Sequence, residues 1–176
     1  QLDITTAFVF TAVSFIVFAV LMVVSKPSHS GMLPAWRSWM ASFVLQPLGI
    51  LFLLGQETFP YAWTILPGNL LTMAGIAEYW QGLRSLDAEK RQWILPYALV
   101  VLFTLLIWFP GQESFFNRII IYEVFVLLFP ALWYISYRKK RLKSLGGLPK
   151  AAKVLVILTL SLHIFRLIST FLFGAE

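Results

Sequence analysis

Apolar positions in this chain come in six long runs, and most of the polar positions fall between them. The runs cover about 4–24, 36–54, 61–83, 93–109, 117–137 and 152–173. Each is close to the ~17–25 residues that a helix needs to cross a hydrocarbon core. The breaks read SKPSHSGMLP, GQETFP, RSLDAEKRQ, PGQESFF and RKKRLKSLGGLPKAA, and they gather proline, glycine and charge. The pattern predicts an all-α polytopic membrane bundle of six transmembrane helices. No stretch between runs is long enough to fold alone, so one domain over residues 1–176 is expected. The first run is too long for a cleavable signal peptide and has no basic residue before it.

Composition points the same way. The chain is 59% hydrophobic and 12% charged, against about 25% charged in soluble domains. Twelve of the fourteen Lys and Arg lie at the first, third and fifth breaks: Lys26, Arg37, Arg84, Lys90, Arg91, Arg138, Lys139, Lys140, Arg141, Lys143, Lys150 and Lys153. Basic loops stay in the cytoplasm, so both ends of the six-run segment are expected outside, in a multi-pass membrane protein. All seven tryptophans sit near run ends, where the indole ring favours the headgroup level. A cytoplasmic output joined after Glu176 would need a further crossing.

Ionisable residues inside the runs are the candidate chemistry, because a charge at mid-membrane costs about 2.5–3.5 kcal/mol on insertion scales and needs a partner or a wet cavity. Four qualify: Glu78, Glu123, His163 and Arg166. Glu123 lies six residues in from the outer start of run five, and Arg166 seven from the outer end of run six. At ~1.5 Å per residue both sit about 10 Å below the same boundary, the arrangement of an ion pair. Thr159, His163, Arg166 and Thr170 are spaced 4, 3 and 4 and share one helix face. With Gln46 and Asn69 at similar outer-half depth, the expected ligand-binding set is Arg166, His163, Glu123, Asn69 and Gln46. The bland reading is that these groups simply bind helices together.

Glu78 lies near the inner end of run three and is expected to form a structural ion pair with Arg84 or Arg37. Gly68, Gly75 and Gly82 repeat every seven residues and predict a seam for close helix approach. Four prolines, Pro47, Pro67, Pro96 and Pro130, are expected to interrupt runs and kink their helices. The run YRKKRLK predicts contact with anionic lipids at the cytoplasmic face.

Other chemistries are missing. With no cysteine there is no disulfide, thiolate metal site or cysteine nucleophile. No metalloprotease, nucleophile-elbow or P-loop motif occurs. We therefore expect no catalytic residue, metal or cofactor, and no nucleic-acid partner, since the net charge of +6 is concentrated in inner loops.

The stretch LPGNLLTMAGIAEYWQGLRSL, with Asn69, Gly75 and Gly82-Leu83-Arg84, resembles a helix of the N-terminal membrane sensor regions of bacterial GGDEF proteins, the diguanylate cyclases. NRIIIYEVFVLLFPALWY, with Arg118 opening a span, and the late Arg166 are similar to pieces of the same regions. The resemblance implies a sensory domain of about seven helices in a bacterial inner membrane, leading through a cytoplasmic helix into a downstream catalytic domain that makes cyclic di-GMP. Repacking of the last helices within a homodimer is the expected output. The resemblance supplies no ligand residues; those rest on the polar stripe. The ligand would be a small molecule or lipid-like signal, with Arg166 as its anion-binding group. Two other readings fit the same composition: a small transporter or half-transporter, and a haem- or quinone-binding membrane protein using His163.

Overall fold

The computed structural model describes residues 4–24, 26, 30–86, 94–109 and 115–141, together with the single positions Ser161, Ile164 and Ile168. Among the described residues every element is helical and there is no strand. The helices are α1 (Ile4–Val24), α2 (Leu33–Leu54), α3 (Tyr61–Leu86), α4 (Ile94–Trp108) and α5 (Phe115–Arg141), with 3₁₀ turns at Ser30–Met32 and Gly55–Glu57. Their bounds follow the apolar runs closely. The larger departures are outward: α2 begins three residues before the expected Trp36, α3 runs three past Leu83, and α5 reaches Arg141 instead of Tyr137, while α4 is one residue shorter than its run at each end. Polar residues continue a helix readily once it is nucleated, so apolar runs mark where helices must exist better than where they stop.

The chain forms two compact units, Gln1–Thr104 and Leu105–Glu176, and the division falls within α4. In the first unit α1 packs on α2 and α2 packs on α3. The connection from α2 to α3 is short and tightly bonded. Gly55 caps α2 by donating its N–H to Phe52 and Leu53 carbonyls, and Thr58 and Phe59 both donate to the Gly55 carbonyl at 3.0 Å. So brief a connection makes consecutive helices antiparallel neighbours.

Glycine sets how closely they approach. A Cβ on Gly68 would stand 2.8 Å from Leu53 Cγ and 3.0 Å from the Gly49 carbonyl oxygen. One on Gly75 would stand 2.5 Å from Gln46 Cγ, and one on Gly82 would run into the Trp39 indole. The seam read from Gly68, Gly75 and Gly82 is therefore the α2 contact. Buried Ala35, Ser42 and Gly49 repeat every seven residues on the α2 side. A seven-residue repeat keeps one stripe of each helix facing its neighbour. Trp36 Nε1 donates to the Met22 carbonyl at 2.8 Å, and Trp39 Nε1 donates to the Tyr79 carbonyl at 3.2 Å. Two indoles near the start of α2 thus tie the ends of α1 and α3 to it.

Prolines behave in two ways. Pro47, Pro67 and Pro130 lie inside helices, as expected. Pro96 corrects the reading, since it is the third residue of α4. In a first helical turn no backbone N–H has an intrahelical partner, so proline there interrupts nothing.

In the second unit Glu123, Val126 and Pro130 are buried on one face of α5, beside Phe125 and Phe129. Ser161, Ile164 and Ile168 are helical and exposed; the rest of the sixth expected span lies outside the described residues. Among the described residues one helical stretch, Ser30–Leu54, is long and apolar enough to cross a membrane, with a mean hydropathy of 1.4. Ile94–Trp108 is apolar but shorter.

Candidate functional site

The buried residues are mostly apolar, with a polar minority. Ser38, Ser42, Thr64, Thr72, Glu78, Gln81 and Glu123 are all buried. Most of the hydroxyls and amides whose bonds are resolved donate within their own helix. Thr72 Oγ1 donates to the Gly68 carbonyl at 2.8 Å, and Asn69 Nδ2 donates to the Ile65 carbonyl at 2.7 Å. Thr64 Oγ1 reaches the Pro60 carbonyl at 3.3 Å, and Ser85 Oγ the Gln81 carbonyl at 2.9 Å. Gln46 Nε2 donates to Ser42 Oγ, one turn back, at 2.8 Å. This back-bonding to a carbonyl or hydroxyl four residues earlier needs no second helix.

Of the five expected ligand-binding residues, the first unit holds Gln46 and Asn69. Gln46 lies against Gly75, so it is level with a point six residues, or about 9 Å of helix rise, from Asn69. Both are half-buried. Glu123 belongs to the second unit, where it is fully buried at 0% exposure. His163 and Arg166 lie outside the described residues.

A second polar centre occupies the C-terminal half of α3. Glu78, 5% exposed, accepts a hydrogen bond from the Tyr97 hydroxyl on α4. Gln81, one turn further on, is buried, and Arg84 in the last turn is half-buried. Beside them Trp80 is buried and meets the Tyr79 ring edge-on, with centroids 5.6 Å apart at 88°. Sequence reasoning named Glu78 but missed Tyr97. The signal was present. Glu78 is five residues from the inner end of its run and Tyr97 four from the inner start of the next, so the depth matching applied to Glu123 and Arg166 would have paired them too.

These residues supply a buried carboxylate, a phenol and several amides. Among the described residues no cluster of three His, Asp or Glu could hold a metal ion. No family model, curated protein or solved structure matches the chain.

Proposed function

We propose that the chain is a multi-pass helical module of a bacterial inner membrane. In this reading it senses a small-molecule or lipid-like signal for a cyclic di-GMP-forming catalytic domain. One observation carries the membrane part: carboxylates share the interior with the apolar core, while large apolar side chains cover the outside. Carboxylates, amides and hydroxyls are inside, while Val20, Leu51 and Val101 are 58%, 53% and 56% exposed. In water a core is apolar and charge is almost never buried; in lipid the outer surface must be apolar and polar groups turn inward. Only 28% of the Ser30–Leu54 window is buried, unlike the core helix of a soluble domain. The four basic residues closing α5, Arg138 to Arg141, fit an inner headgroup layer of anionic lipid.

Support for sensing comes from the matched depths of Glu123 and Arg166 and from the pattern of the sixth run. On a helix of 3.6 residues per turn, positions 161, 164 and 168 share one face and positions 159, 163, 166 and 170 the opposite one. Ser161, Ile164 and Ile168 are exposed, which suits an inward polar stripe. To signal, a ligand must favour one helix arrangement over another.

Two experiments test the two parts. Single cysteines at residues 28, 57, 88, 112 and 146 should alternate between inside and outside labelling by an impermeant maleimide; labelling of all five from one side would overturn the membrane reading. In the whole gene product, Arg166→Ala should abolish ligand-dependent cyclic di-GMP synthesis with insertion intact, and an unchanged response would reject the sensing site.

A further inference from the structure

One exposed side of α2 carries a charge at the head of an apolar stripe. Ala35, Ser42 and Gly49 turn the opposite side of this helix to α3, and Arg37, two residues after Ala35, stands about 200° round from it. On that far side Arg37, Val44, Leu48 and Leu51 follow at steps of 7, 4 and 3 and share one stripe. All four are exposed, the three apolar ones at 45%, 42% and 53%. The exposed side of α4 offers a contrast. Leu95, Leu102 and Leu105 line it, and α4 contains no charged residue.

Arg37 also lies at the end of the unit where positive charge collects. Trp36, its neighbour, donates to the Met22 carbonyl, which brings the end of α1 to the start of α2. Lys26 is exposed four residues beyond Met22. The break SKPSHSGMLP between the two helices holds no acid, and the third break offsets Asp87 and Glu89 with Lys90 and Arg91. At the other end of α2, residues 55–60 include no base.

Val44 and Leu48 lie about 10 and 16 Å of helix rise from Arg37, and one leaflet supplies about 15 Å of hydrocarbon. A phospholipid whose phosphate meets the guanidinium can therefore lay an acyl chain along these two residues. Guanidinium and phosphate pair through two parallel hydrogen bonds, and the long arginine stem reaches headgroup level from an apolar surface. A second copy docked through the same stripe would bring two Arg37 side chains to one level, and like charges disfavour that occupant.

We propose that this face of α2 seats an anionic phospholipid, with its phosphate on Arg37 and an acyl chain along Val44 and Leu48. The seat rests on the membrane reading. It is separate from the basic end of α5, which belongs to the second unit.

The chain has no native cysteine, so a bimane fluorophore on Val44→Cys or Leu102→Cys reports one face at a time in the full chain. The probes are phosphatidylcholine vesicles doped with equal fractions of dibrominated phosphatidylglycerol or dibrominated phosphatidylcholine. At position 44 the brominated phosphatidylglycerol should quench more, with a local enrichment of about fivefold, equivalent to the ~1 kcal/mol of one base near anionic lipid. Arg37→Gln should remove that excess while quenching at position 102 is unchanged. At position 102 the two lipids should quench alike. Equal quenching by both lipids at 44 overturns the seat, and so does an excess that survives Arg37→Gln. Relief of the excess by soluble glycerol phosphate also overturns it, since the site would then take free phosphate. Quenching at 102 with none at 44 means that protein covers this face; the seat falls and the membrane reading stands. No quenching at either position overturns both.

Discussion

The α2–α3 pair and the α3–α4 pair share a helix yet are held by opposite means. Between α2 and α3 backbones meet at glycine, and Thr72 Oγ1 lies over Gly49 as Gln46 lies over Gly75. Between α3 and α4 a phenol reaches a carboxylate. The first contact gathers dispersion energy along its whole length, and many weak attractions summed over a close seam are hard to break one at a time. The second includes a charge-assisted bond between two side-chain tips. The difference is set by where the small residues are.

The comparison can be broken most forcefully at Gly49. A Cβ there would stand 2.6 Å from the Gly68 carbonyl oxygen and 2.7 Å from the Thr72 nitrogen. Backbone atoms cannot step aside, so Gly49→Ala should destabilise the protein by about 2–3 kcal/mol, read from unfolding by sodium dodecyl sulfate in micelles. Gly75→Ala sharpens the point, because its nearest obstacle is a side chain, Gln46 Cγ. It should cost about 1–2 kcal/mol alone and be partly rescued by Gln46→Ala in a double-mutant cycle. A purely additive cycle would mean that the two residues do not press on each other. Trp39→Phe removes the donor to the Tyr79 carbonyl together with part of the indole packed on Gly82, and should cost about 1–2 kcal/mol. At the other extreme, no heavy atom lies within 4 Å of where a Gly31 Cβ would be. Gly31→Ala should stay within about 0.5 kcal/mol of the parent; a loss comparable to that of Gly49→Ala would show that glycine acts here by some route other than close approach.

The helices were legible because their apolar runs are long and their breaks carry charge. One side of the seam was legible too, since Gly68, Gly75 and Gly82 are a single residue type at one period. Its counterpart on α2 was not. Ala35, Ser42 and Gly49 keep the same period but differ in chemistry, and a search by residue type passes over them. Pro96 was misread because a proline within an apolar run is a kink only if a turn of helix already precedes it, and α4 begins at Ile94. Tyr97 escaped notice because a lone tyrosine near the start of an apolar run carries no charge to be matched. The division of the chain within α4 was not legible: Pro96 and Thr104 are minor breaks in the apolar run from Trp93 to Phe109, and allegiance to one unit or another depends on neighbours distant in sequence.

The inward-bonded hydroxyls and amides of α3 also bear on the order of assembly. Thr64, Asn69, Thr72 and Ser85 find their acceptors one turn back along the same rod, so none of them waits for a neighbouring helix to shed its water. An isolated α3 therefore has these four side chains satisfied before it meets α2. Glu78 differs: its contact with Tyr97 forms only when α4 arrives, which makes that meeting a late step in building the first unit.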